Sequence, residues 1–204
     1  MVENAETAFA SSIPGVILAG GRSRRMGGGD KCLLPLAGRA VLDHVIERIR
    51  PQVGALALNA NGDAARFAAF GLPVVADDAA DFAGPLAGIL AALDWASATL
   101  PGASAVLTVP ADTPFLPRDL VARLAQAGAP ALAVSAGRVH PVVGLWPLAL
   151  RADLHAALRE EGVRKVEDWT RRLGAAVAAF ETVPVDPFFN VNTPGDLARA
   201  VALM

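Results

Sequence analysis

A chain of 204 residues, 53% hydrophobic and 19% charged, is long enough for one domain with a sizeable core, and two full domains would each be small. Its formal charge of −2 and pI near 5.9 exclude a generally basic nucleic-acid binder. Its most apolar predicted helix, near residues 85–100, is interrupted by Asp94 and falls short of a membrane span. The single cysteine, Cys32, cannot close an intramolecular disulfide, which fits a reducing cytosol.

Residues 1–12 lack both a basic leader and a long apolar stretch, so a disordered tail is expected there, followed by a single domain over residues 13–204. The apolar run over residues 13–19 predicts a strand that delivers the chain into Gly20-Gly21. Residues 20–31 carry four cations, Arg22, Arg24, Arg25 and Lys31, against one anion, Asp30. That segment is +3 in a chain whose total is −2. Glycines let main-chain N–H groups approach closely, and the cations can neutralise a polyphosphate. The alternative is a solvated surface loop. Only Lys31 and Lys165 are lysines, against sixteen arginines, so compositional habit does not account for Lys31. Neither G-x-x-x-x-G-K-[ST] nor G-x-G-x-x-G occurs in this loop.

Further along, helices are predicted over residues 40–49, 63–70, 85–98 and 117–127, alternating with strands over 55–58, 73–76 and 105–109. Such alternation, with each strand a continuous apolar run, predicts a three-layer α/β fold with a mostly parallel sheet and helices on both faces. Ligands of such sheets lie beyond the carboxyl ends of the strands, where Gly20, Asn59, Asp77 and Asp112 all fall. The second half is less regular. Strands are expected over residues 131–135, 142–146 and 176–183, helices over 148–160 and 163–173, and a helix from Thr193-Pro194 to the end, capped by Thr193.

Several residues carry chemistry with a plainer reading beside it. Asp112, in D-T-P-x-x-P, suits a Mg²⁺ ion held by one or two carboxylates plus substrate phosphates, or it organises the turn; both roles can coexist. Asn59 and Asp77 can accept from the ring N–H and amine of guanine, or cap loops. Gly84 and Gly88 serve close approach to a ligand or tight helix packing. Asn190 and Asn192 offer amide donors and acceptors to a polar ring, and His140 does so or is structural. Cys32, beside the loop lysine, is a nucleophile or a small buried residue, the latter being expected. Trp95, Trp146 and Trp169 are expected to pack in or around the core. The arginine-bearing helix near residues 164–172 reads as a solvated face or as a contact for an anionic cofactor or the enzyme that receives it. No Ser-His-Asp order, CxxC pair or HExxH helix supports a hydrolase or zinc site.

The run LAGG-x-S-x-R-M-G-x-x-D-K over residues 18–31 resembles the signature loop of nucleotidylyltransferases, and in its RRMGGGDK form the molybdenum cofactor guanylyltransferase family most closely. D-x-x-G-P-L-A-G at residues 81–88, D-T-P-F-L-P from Asp112, His140-Pro141 and N-x-N-T-P from Asn190 are similar to further segments of that family. Gly195 stands where relatives often carry an acidic residue. The resemblance implies transfer of GMP from GTP to molybdenum-molybdopterin, with Mg²⁺ as cofactor. It also implies a GTP-binding half over residues 13–130 and a molybdopterin-binding half over 131–204. Leu18, Ala19, Gly20, Gly21, Lys31, Asn59, Asp77, Gly84 and Asp112 would bind nucleotide. Arg25, Lys31 and Asp112 would be catalytic, Asp112 would hold the metal, and His140, Asn190 and Asn192 would meet the acceptor. A cytoplasmic monomer is expected, with transient contact to molybdopterin-handling proteins and recipient molybdoenzymes. A CTP-dependent molybdopterin or sugar-phosphate nucleotidylyltransferase, and a non-catalytic cofactor carrier or GTP sensor, are the alternatives.

Overall fold

A computed structural model describes residues 12–20, 30–77 and 84–204; residues 1–11 of the tail expected over 1–12, Gly21, Arg22, Arg24, Arg25 and Asp81 lie outside the described residues. Seven strands form one sheet, and a two-residue hairpin, β2 (Pro35–Leu36) and β3 (Arg39–Ala40), stands apart. The sheet strands are β1 (Pro14–Leu18), β4 (Ala55–Asn59), β5 (Val74–Val75), β6 (Ala105–Pro110), β7 (Ala131–Ser135), β8 (Arg138–Pro147) and β9 (Ala176–Phe180). Their order is β5-β4-β1-β6-β8-β7-β9. Every neighbouring pair is parallel except those that β8 makes with β6 and β7, so β8 alone runs against the rest.

Side-chain alternation along the strands divides the core in two. Ile17, Leu58, Leu107, Ala133 and Leu145 face one layer, with α1 (Val41–Ile49) and α3 (Leu120–Ala127). Their sequence neighbours Val16, Ala57, Val106, Leu132 and Trp146 face the other, with α2 (Pro85–Thr99), α4 (Arg151–Arg159) and α5 (Val166–Leu173). The three-layer α/β expectation is therefore realised. A smaller cluster joins Leu36 of the hairpin and Val41 to Val191 and Ala200, the last on α6 (Pro194–Ala202). Among the described residues no helix is long and apolar enough to cross a membrane.

Some boundaries differ from expectation for identifiable reasons. Residues 63–70 form a 3₁₀ helix, Ala64–Phe70, rather than an α-helix, started by the Asp63 carboxylate accepting from the Ala65 N–H and ended by Gly71 at φ 62°. The helix expected from Pro117 begins at Leu120. The segment expected as one helix over 148–160 opens with a 3₁₀ turn, Leu148–Leu150, before α4. α5 starts three residues late, because the Val163 N–H returns to the Ala157 carbonyl instead of opening a new helix.

The strand expected over 142–146 is ten residues long and includes Pro141. Proline fits there because the register against β7 jumps from Leu132↔Gly144 to Ala133↔His140, a bulge in which the missing N–H is not needed. Trp146 folds back over Gly144, where a Cβ would lie 2.6 Å from the indole. Its Nε1–H donates to Thr108 Oγ1 at 2.8 Å, so a fully buried indole is satisfied.

Candidate active site at the strand ends

The parallel direction of β1, β4, β5 and β6 brings their carboxyl ends to one rim, and β8 starts at that same rim because it runs the other way. At the ends of β4 and β5, Asn59 is 2% exposed, and its Nδ2 donates to the Val75 carbonyl at 3.1 Å and to Asp77 Oδ1 at 2.8 Å. Asn61 donates to the other Asp77 oxygen at 2.7 Å and accepts from the Asp77 N–H at 2.9 Å. Two amides thus fix the orientation of one carboxylate, and each of its oxygens keeps a further lone pair. The Asn59 Oδ1 lies against Gly88 of α2, where a Cβ would be 2.8 Å away. Gly88 is therefore where α2 passes the candidate base-recognition residue. Gly84, at φ 122°, ends the loop before α2 in a conformation that favours glycine.

In the centre of the rim, the Ala19 N–H donates to the Asn59 carbonyl at 2.8 Å and the Ala111 N–H to the Leu18 carbonyl at 3.0 Å, so Leu18, Ala19 and Gly20 run between the ends of β4 and β6. Lys31 opens a 3₁₀ turn, Lys31–Leu33, and its Nζ donates to Asn192 Oδ1 at 2.9 Å. Asp30 beside it is held by Arg66 at 2.5 Å. Asp112 follows β6, and its Oδ1 accepts from Asn190 Nδ2 at 3.0 Å. The Val191 N–H donates to the Asp112 carbonyl at 2.8 Å. Burial raises the Asp112 carboxyl above the usual carboxylate range, an effect opposed by the Asn190 hydrogen bond and by the Lys31 charge. Lys31 and Asp112 are thus brought together on one short segment, through Asn192 and Asn190. Cys32 is buried, its thiol pushed up to about 12 chiefly by that burial, which makes it a packing residue and a poor nucleophile.

Along the second half of the rim, His140 is stacked on Phe188 with ring centroids 4.5 Å apart. Ser135 Oγ donates to Asp186 Oδ1 at 2.9 Å and lies 2.7 Å from His140 Nε2. With its proton committed to Asp186, the hydroxyl accepts from an Nε2–H imidazole, so this trio is no nucleophilic triad. Burial lowers the His140 pKa. Asp186 also accepts from the Phe188 N–H at 3.0 Å. Asn61, Ser135 and Asp186 escaped the sequence reading. Only Asn61 carried a signal, as the second amide of an N-x-N-G turn. Gly195 leaves the helix start intact, because Asp196 and Thr193 form the capping box that begins α6.

Residues 15–177 match the family described as the MobA-like NTP transferase domain. The molybdenum cofactor guanylyltransferase of Bradyrhizobium sp. (strain ORS 278) is 56% identical over 198 residues, covering 95% of this chain and 93% of that protein. The chain belongs to the molybdenum cofactor guanylyltransferase family. Molybdopterin-guanine dinucleotide biosynthesis protein A from Archaeoglobus fulgidus shares the fold of this guanylyltransferase family member, with a TM-score of 0.72 at 21% identity over 94% of this chain and 98% of its own. So does a Mycobacterium tuberculosis H37Rv protein solved in complex with manganese, with a TM-score of 0.65 at 21% identity over 93% of this chain and 97% of its own.

Proposed function

We propose that this nucleotidyltransferase moves GMP from GTP to the terminal phosphate of molybdenum-molybdopterin, forming the guanine dinucleotide cofactor and pyrophosphate. The supporting observation is that Lys31 and Asp112 are bonded to one short segment at the end of a parallel sheet, on a rim that also carries an Asp77 carboxylate held by two amides. Asp77 accepts from the guanine N–H groups, and Lys31, with Arg25 of the same loop sequence, stabilises charge on the α-phosphoryl and the departing pyrophosphate. The attacking phosphate has a second pKa of about 6 and is already largely dianionic near neutral pH, so no side chain is required to deprotonate it. A loop sequence rich in cations, with Asn190 and Lys31 among the described groups acting on Asp112, suits that chemistry.

Asp112 also suits Mg²⁺. Among the described residues no three metal-ligating side chains gather, which fits an ion that takes one or two carboxylates and leaves its other positions to phosphate and water. Burial penalises the ionised Asp112, so a cation beside it relieves a cost the fold already carries. The manganese held by the Mycobacterium tuberculosis protein agrees with a divalent ion in this fold. When bound, Mg²⁺ supplies charge neutralisation between nucleotide phosphates. In this reading His140, Asn190 and Asn192 serve the acceptor. The reading further places the enzyme in the cytoplasm, acting as a monomer with transient contacts to proteins that deliver or receive the cofactor.

The test is incubation of purified chain with Mg²⁺, molybdopterin and each of GTP, CTP and ATP, with pyrophosphate as the readout. Release with GTP alone is expected. Release with CTP alone reassigns the nucleotide, and release with none favours a cofactor carrier or nucleotide sensor.

A further inference from the structure

Lys31 and Asp112 carry opposite charges close enough for the Lys31 charge to act on the Asp112 carboxyl, yet among the described residues no ion pair joins them. Each is instead bonded to a neutral amide from a single short segment. Asn192 turns its oxygen to the ammonium at 2.9 Å, and Asn190 turns its NH₂ to the carboxylate at 3.0 Å. The two asparagines are separated by one residue, Val191, which is fully buried and whose N–H bonds to the Asp112 carbonyl at 2.8 Å. Asp196 then holds the Asn192 N–H at 3.1 Å, tying the segment to the α6 cap. The segment is thus anchored by groups other than the two side chains that reach the charges.

We propose that Asn190 and Asn192 are positioning residues that hold Lys31 and Asp112 apart, so that both charges stay available to a triphosphate and its metal rather than neutralising each other. A direct ion pair between partly buried groups is a strong competitor for both partners. An amide satisfies each charge with a charge-assisted hydrogen bond to a neutral partner, which cancels no charge and leaves each ion open to a phosphate or a divalent ion. The chemistry of the pair is specific, with an acceptor placed on the cation and a donor on the anion. A carboxylate at position 192 reverses the design by supplying Lys31 with a permanent counter-ion.

This inference rests on the proposed function, and its test separates the two. Binding of a non-hydrolysable GTP analogue with Mg²⁺ is measured calorimetrically, without any acceptor, for the native chain and for Asn192→Ala, Asn192→Asp and Asn190→Ala. Thermal melting monitored by circular dichroism checks that each variant folds. Native binding is expected, weakened about tenfold in the two alanine variants and at least a hundredfold in Asn192→Asp, which keeps the size of the native side chain and adds a negative charge. Nucleotide affinity unchanged in all three variants, as for residues that serve only the acceptor, overturns the inference and leaves the function standing. Equal losses in Asn192→Ala and Asn192→Asp overturn it too, since a packing role does not distinguish charge. A native chain that binds no magnesium nucleotide sinks the functional reading, and the inference with it.

Discussion

Where β4 and β5 end, Asn59 and Asn61 spend their amides on orienting the Asp77 carboxylate, which remains at the rim with acceptor capacity to spare. Where β7 and β8 meet, the same kinds of atoms are spent on one another. Ser135 joins His140 to Asp186, and Phe188 covers the imidazole face. Both flanks satisfy buried polar groups, as they must. The first leaves a directed anion at the rim, while the second closes its polar network against buried aromatic rings. The flanks thus differ in what they leave open, and Lys31 and Asp112, each bonded to an asparagine of one short segment, lie between them.

The centre dominates that comparison. Lys31→Ala or Asp112→Ala should lower kcat/KM by about 10³-fold or more with folding retained, as loss of a charge that stabilises phosphoryl transfer does; steady-state pyrophosphate release measures it, and near-native turnover in either variant removes that residue from the mechanism. On the Asp77 flank, Asp77→Ala should cost about 1–3 kcal/mol of discrimination, roughly 10- to 100-fold in the GTP to CTP ratio of kcat/KM. An unchanged ratio would assign Asp77 to loop capping alone. Gly88→Ala presses a Cβ to 2.8 Å from Asn59 Oδ1 and should weaken GTP binding about tenfold, while overpacking costs about 1–3 kcal/mol. Native affinity in that variant would separate Asn59 from base recognition.

The opposite flank predicts a different pattern. Ser135→Ala strands His140 and Asp186 and should cost about 1–3 kcal/mol of stability, lowering the melting temperature by about 2–4 °C per kcal/mol, with GTP affinity untouched. If nucleotide binding falls as well, the flanks are coupled and the contrast fails. The smallest effect is a pH dependence. Burial raises the Asp112 carboxyl, so the folded chain keeps that proton to higher pH than the unfolded chain, and stability is lost as pH rises through that window. Asp112→Asn should therefore melt above the native chain at pH 7, by a margin that shrinks as pH falls below the carboxylate range. A margin independent of pH would place the effect elsewhere.

Much of the first half was legible because its signals are local. Continuous apolar strands, Pro85 at a helix start and polar residues at strand ends fix the rim without tertiary knowledge, and Asn59, Asp77 and Asp112 fall on it as expected. The second half hides its logic in pairing. A proline inside β8 reads as a boundary until the bulge opposite it is seen. Asp186 looks like any loop acid, since its partner lies 51 residues earlier. Asn190 and Asn192 were legible as a motif, but not their partners, because bonds spanning 78 and 161 residues leave no periodic trace.

That longest bond also sets an order of events during synthesis. Translation proceeds at about 5–20 residues per second, so a nascent chain carries Lys31 for roughly 10–30 s before the residue that restrains it exists. The small apolar cluster through which Val191 and α6 dock on the β2–β3 hairpin cannot form earlier either. Until residues 190–192 are made, Lys31 and Asp112 lack the amide partners that each of them has in the fold.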